Sequence, residues 1–194
     1  IGSNALSRNY SGNNNTAIGT ATVAFNITGE ENVGIGISAL NQNTSGSYNS
    51  AVGASAMSGV PLTSAGNYNS ATGHSSLYKM SGNENTANGV NTMANATFGS
   101  YNTVIGTNSL YTNTGSNNNT TLGHSTLFNN TSGSGNVAIG YQAGYSETGS
   151  NKLYIENSNA ATPLIYGEFD NDLARINGNF RVNSTTVAGS EMQV

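Results

Sequence analysis

The sequence predicts an all-β fold, a parallel β-roll or solenoid of about nine 17-residue coils followed by a small β-meander, and three observations carry that prediction. Glycine recurs at Gly2, Gly19, Gly36, Gly53, Gly73, Gly89, Gly106, Gly123 and Gly140, at spacings of 17, 17, 17, 20, 16, 17, 17 and 17 residues. An Asn stands four residues before each of the last eight, at Asn15, Asn32, Asn49, Asn69, Asn85, Asn102, Asn119 and Asn136. The intervening residues exclude the helical alternative: Gly, Asn, Ser and Thr return every few positions, each penalised inside a helix.

Each unit begins with a short strand of the form N-x-A-I-G. Two residues before the Gly the column is small (Ala17, Gly34, Ala51, Ala71, Ala87, Val104, Thr121, Ala138), and the next column is mostly aliphatic (Ile18, Ile35, Val52, Thr72, Asn88, Ile105, Leu122, Ile139). After the Gly come a bend and a second apolar column, Leu6, Val23, Leu40, Met57, Leu77, Met93, Leu110 and Leu127, which reads as a second short strand. A polar turn closes most units with another Gly, at Gly12, Gly29, Gly46, Gly66, Gly82, Gly99, Gly115 and Gly133. Stacked at about 4.8 Å per coil, nine units span about 40 Å, and like positions form ladders along the axis.

Such ladders explain the Asn column, because a buried amide hydrogen-bonds its copies above and below and tolerates a left-handed bend. Alternation within the strand defines two faces. The small face is expected to close inside a thin, flat roll, with both the Ile and the Leu columns outside. A row of exposed aliphatics along the whole shaft exceeds what soluble monomers tolerate. A cyclic oligomer is therefore expected, with Ile18, Ile35, Val52, Ile105, Leu122 and Ile139 as its seam.

The motif Asn15-Thr16-Ala17-Ile18-Gly19, repeated as Asn136-Val137-Ala138-Ile139-Gly140, resembles the head repeats of YadA-like trimeric autotransporter adhesins. The resemblance covers residues 1–149, and it implies a left-handed parallel roll, a homotrimer, and attachment to host matrix or another surface. Units of 17 residues exceed that family's usual length, so larger turns are expected here and the family's ligands do not carry over.

After Gly149 the register is lost and charge rises, which divides the chain into a repeat domain, 1–149, and a C-terminal β-rich module, 150–194. Leu153-Tyr154-Ile155, Leu164-Ile165-Tyr166 and Ala174-Arg175-Ile176 read as strands, and Asn177-Gly178 before Phe180-Arg181-Val182 reads as a hairpin turn. The segment from Asn151 to Gly178 looks like parts of phage-type tail fibres and related bacterial surface fibres.

Composition narrows function further. Five Lys+Arg against nine Asp+Glu argue against nucleic acid, whose binding rests on neutralised phosphates. The absence of Cys removes disulfides, thiolate metal sites and cysteine nucleophiles. No stretch is long and apolar enough to span a membrane, and the start at Ile1-Gly2-Ser3 reads as a piece cut from a longer chain. His74 and His124 follow repeat glycines and read as surface residues. Glu168, Asp170 and Asp172 read as a solvated turn rather than a calcium loop. With no nucleophile–base set, no enzyme, cofactor or metal is expected.

Contact chemistry is expected instead at Tyr48, Tyr68 and Tyr101, which precede ladder Asn residues, and at Tyr78 and Tyr111, which follow the second-strand Leu. An aromatic ring beside amides and hydroxyls suits a cell-surface glycan or protein receptor. The expectation is thus an extracellular, trimeric, adhesive shaft or head, with a receptor-binding tail fibre as the alternative. Ice binding by the column Thr16, Ser50, Ser70, Thr86, Thr103 and Thr120 is a minor one, since Val33 and Val137 break it.

Overall fold

A computed structural model of the chain describes residues 1–59, 66–79 and 81–180. It is all-β. Eight three-residue strands, β1 (Thr16–Ile18), β2 (Val33–Ile35), β3 (Ser50–Val52), β4 (Ser70–Thr72), β5 (Thr86–Asn88), β6 (Thr103–Ile105), β7 (Thr120–Leu122) and β8 (Val137–Ile139), stack in sequence order as one parallel sheet. The register matches repeat to repeat, as in Ala17 opposite Gly34 and Ile18 opposite Ile35. Bonds run in both directions along the stack: Thr16 N–H donates to the Asn32 carbonyl at 2.8 Å, and Gly36 N–H to the Ile18 carbonyl at 2.8 Å.

The sheet does not stop at Gly149. β9 (Lys152–Ile155) pairs in parallel with β8, placing Tyr154 opposite Ala138 and Ile155 opposite Ile139. The chain then reverses, and β10 (Ile165–Glu168) and β11 (Leu173–Ile176) add antiparallel strands to the same sheet. The expected meander is present, with its second strand starting one residue later and ending two residues later than the sequence reading. The expected hairpin strand after Asn177-Gly178 lies mostly outside the described residues.

The repeat glycine is required on two counts. Gly19, Gly36 and Gly53 have φ between +127 and +135, and a Cβ on any of them would stand 2.6 Å from the carbonyl oxygen of the glycine in the next coil. The closing-glycine reading needs correction at one position: Ser116, not Gly115, occupies the column in its coil. Asn102 Nδ2 donates to the Ser116 carbonyl at 3.0 Å, as its equivalents donate to glycine carbonyls, while Gly115 faces open space.

The second apolar column departs most from expectation. These residues form no strand; each sits in left-handed backbone, from φ 47 at Leu127 to φ 51 at Leu6 and Met57. That conformation turns the side chain inward, so Val23, Leu40, Met57, Leu77, Met93, Leu110 and Leu127 are buried and fill the roll. The Leu ladder is therefore the core rather than part of the outer face. Left-handed backbone costs an L-residue about 1–2 kcal/mol. Burial offsets that cost, together with a backbone bond to the next coil such as Leu110 N–H to the Thr126 carbonyl at 2.9 Å.

Small strand residues leave room for this column, and volumes compensate locally. Where the bend carries Thr22 and β-branched Val23, the strand position against them is Gly34. A Cβ there would stand 2.7 Å from a methyl of each.

Candidate functional site

Two kinds of surface could carry function, the flat face of the sheet and the end of the solenoid, and both are held by the amides inside. Each ladder Asn accepts on Oδ1 from the next ladder residue, as with Asn49 N–H at 3.0 Å and Asn49 Nδ2 at 3.2 Å from Asn32 Oδ1. Its own Nδ2 reaches a turn carbonyl of the next coil, Gly46 for Asn32 at 2.8 Å. The same pattern runs through Asn15, Asn32, Asn49, Asn69, Asn85, Asn102, Asn119 and Asn136, and ends with Lys152 N–H on Asn136 Oδ1 at 2.8 Å. The left-handed bend expected at the Asn itself lies one residue earlier, at Asn14, Glu31, Tyr48, Tyr68, Glu84, Tyr101 and Asn118.

Sequence reasoning missed a second, shorter amide column. Asn26 Nδ2 donates to Asn9 Oδ1 at 2.7 Å and Asn43 Nδ2 to Asn26 Oδ1 at 3.1 Å, with Asn113 and Asn130 buried at equivalent positions. Five Asn standing seven residues after a repeat Gly were the available signal.

On the outer face the aliphatic column is exposed as expected: Ile18 43%, Ile35 37%, Val52 37%, Ile105 40%, Leu122 49% and Ile139 37%. Thr72 and Asn88 interrupt it midway. Beside it on the same face run Thr16, Ser50, Ser70, Thr86, Thr103 and Thr120, with Val33 and Val137 between. The aliphatic column also continues into the meander, since Ile155 faces Ile139, Ile165 faces Ile155 and Ile176 faces Ile165.

The tyrosines fall into two columns. Tyr48 and Tyr68 stack with centroids 4.8 Å apart and planes 3° apart, while Tyr101 is separated from them by the coil carrying Glu84. The charge of Glu31, and then Tyr68, raises the Tyr48 phenol above its ordinary range. In the other column Tyr111 stacks on Phe128 at 5.2 Å and Phe128 on Tyr145 at 5.1 Å. Tyr78 is half-buried against Gly59 in that same column. Tyr145 was not singled out in the sequence, although it stands five residues after Gly140 as Phe128 stands five after Gly123.

At the C-terminal end the core pattern inverts. Gly144 replaces the inward Leu, and Tyr154 replaces the inward Ala, so the ring of Tyr154 closes the hydrophobic core beside Leu127. Its hydroxyl donates to Glu147 Oε2, and Gly149 N–H donates to Glu147 Oε1 at 2.6 Å. Burial, then the Glu147 carboxylate, pushes the Tyr154 phenol well above its ordinary value. Next to it Lys152 Nζ pairs with Glu168 Oε1 at 3.3 Å. Glu168 also accepts from the Tyr166 hydroxyl at 2.7 Å and from Asn171 Nδ2. Those bonds, the Tyr166 one foremost, hold Glu168 down to about 2.

His124 stacks on Tyr141 at 5.5 Å, and no cluster of three or more His, Cys, Asp or Glu suited to a metal occurs among the described residues. No helix is long and apolar enough to cross a membrane among those residues. No family model, curated protein or solved structure matches the chain.

Proposed function

We propose that the chain is the shaft or head of a trimeric, extracellular adhesive fibre that attaches a cell or particle to a surface. The supporting observation is the exposed column from Ile18 to Ile139, interrupted at Thr72 and Asn88 and carried on in register by Ile155, Ile165 and Ile176 on the same sheet. Apolar surface on that scale is stabilised by covering it, and identical rods cover one another over their full length with a single kind of contact. Three-fold symmetry is what the resemblance to adhesin heads implies. Stacked tyrosines at Tyr48 and Tyr68, and Tyr101 beyond them, then face outward to a glycan or protein receptor.

The same geometry serves a receptor-binding fibre of a phage-type particle. In favour of that second reading stands the C-terminal segment, which looks like such fibres in sequence and extends the shaft's own sheet as β9–β11.

Beads coated with the chain test attachment. They are expected to stay on bacterial or animal cell layers under flow, and beads carrying a Tyr48→Ser, Tyr68→Ser, Tyr101→Ser variant to detach sooner. Retention no better than that of albumin-coated beads on every layer contradicts the reading.

A further inference from the structure

We infer that the cleft between the last solenoid coil and the 159–161 loop is a binding site for a sugar ring. Tyr145, Ser146, Glu147, Tyr154, Asn159 and Ala161 line it. Its wall is the end of a stack: Phe128 covers one face of the Tyr145 ring, and no aromatic ring covers the other among the described residues. Phe128, inside the column, presents only its edges; of the two rings that end the stack, Tyr111 and Tyr145, Tyr145 is the one that lines this cleft. Its other face suits the C–H side of a pyranose, which stacks on an aromatic while its hydroxyls point sideways.

Polar groups stand where those hydroxyls would fall. Glu147 is fixed in orientation by Gly149 N–H on one oxygen and the Tyr154 hydroxyl on the other, and each oxygen keeps a lone pair for a sugar hydroxyl. A carboxylate so held accepts from two neighbouring hydroxyls without reorganising, the arrangement in which charge-assisted bonds are strongest. Ser146 and Asn159 are exposed at the rim and add a hydroxyl and an amide.

An adjoining depression shares Tyr154 and Ala161 and continues to Tyr166 and Arg175, whose guanidinium lies 5.7 Å over the Tyr166 ring. Together the two depressions suit a disaccharide end better than a single sugar. A cationic ligand is disfavoured there, because Lys152 and Arg175 already occupy the neighbouring carboxylate and ring.

The site is complete within one chain, so it holds whatever the oligomeric state, and a failed sugar titration is distinct from a failed mass measurement. Saturation-transfer NMR with the methyl glycosides of glucose, galactose, mannose and N-acetylglucosamine, and with tetramethylammonium, tests it on the full chain. At least one glycoside is expected to receive saturation, with affinity falling about tenfold or more in Tyr145→Ala and Glu147→Gln. Ala161→Trp fills the cleft while removing no side-chain hydrogen bond of the fold, and is expected to abolish the signal; Tyr10→Ser, at the far end, is expected to leave it unchanged. Absence of saturation on all four glycosides, binding of tetramethylammonium alone, or glycoside binding that survives Ala161→Trp overturns the assignment.

Discussion

The solenoid and the meander that ends it belong to one sheet, yet they are held by different physics. Residues 1–149 contain six charged side chains and residues 150–194 contain eight. In the solenoid, neutral amides and backbone groups repeat one contact from coil to coil, so no single bond of the main ladder is special and each of its amides is answered by its copy. In the meander, individual partners do the holding: Lys152 with Glu168, Tyr166 with Glu168, Tyr154 with Glu147. The neutral amide ladder carries no charge to titrate, whereas specific ionised pairs make the meander sensitive to pH.

The largest expected effect falls on the repeated contact. Asn102→Ala leaves the Asn119 backbone N–H and the Ser116 carbonyl without their partner inside a closed roll, while Asn85 Oδ1 keeps the Asn102 backbone N–H. A loss of about 3 kcal/mol in unfolding free energy is expected by denaturant titration, since each buried orphan costs about 1–3 kcal/mol. A loss below about 1 kcal/mol would mean that neighbouring coils re-form the ladder around a gap.

Acid acts on the other region. Glu168 is held to about 2 in the fold against an ordinary value of 4.5, so its contribution is full above 4.5 and disappears as pH falls towards 2. Amide NMR signals of β9 and β10 are therefore expected to shift and broaden over that window while those of β1–β7 stay put. Glu168→Gln is expected to remove the part of the effect at Lys152, Tyr166 and Glu168, leaving the part that comes from Glu156 on the Asn157 and Leu164 N–H groups. Tyr154 gives the mirror case, because a raised phenol stabilises the fold below its ordinary value of 10.0 and that contribution is lost as pH climbs above it.

A smaller effect compares the two amide columns. Asn130 is buried with neither side-chain atom bonded among the described residues, whereas Asn26 and Asn43 are paired. Asn130→Ala is expected to change stability by less than about 1 kcal/mol, far less than Asn102→Ala, because no partner is orphaned. Equal losses at the two positions would erase the distinction between the columns.

How much of this was legible follows from the same contrast. A contact repeated along an axis writes the same residue at a fixed spacing, and so the parallel sheet, the Asn ladder and the exposed Ile column could all be read as columns. The Leu column was placed outside because its spacing was read as a strand; left-handed backbone at Leu40, Leu77 and Leu110 reverses the side chain without altering the spacing. The second amide column escaped because Val60, Met80 and Ala96 interrupt it. At the C-terminal end the Gly144 and Tyr154 exchange occurs once, and with it the cleft bounded by Tyr145 and Glu147. A single exchange leaves no period to detect.

In the proposed fibre, the aliphatic face is covered by copies of the same chain. Light scattering coupled to size exclusion tests it directly on the native chain and on an Ile105→Asp, Ile139→Asp variant. Three 19.8-kDa chains per particle are expected for the native protein, with a folded single chain for the variant, since both positions are exposed on each rod and outside its core. A native particle of one 19.8-kDa chain, stable across concentration, would contradict the fibre account.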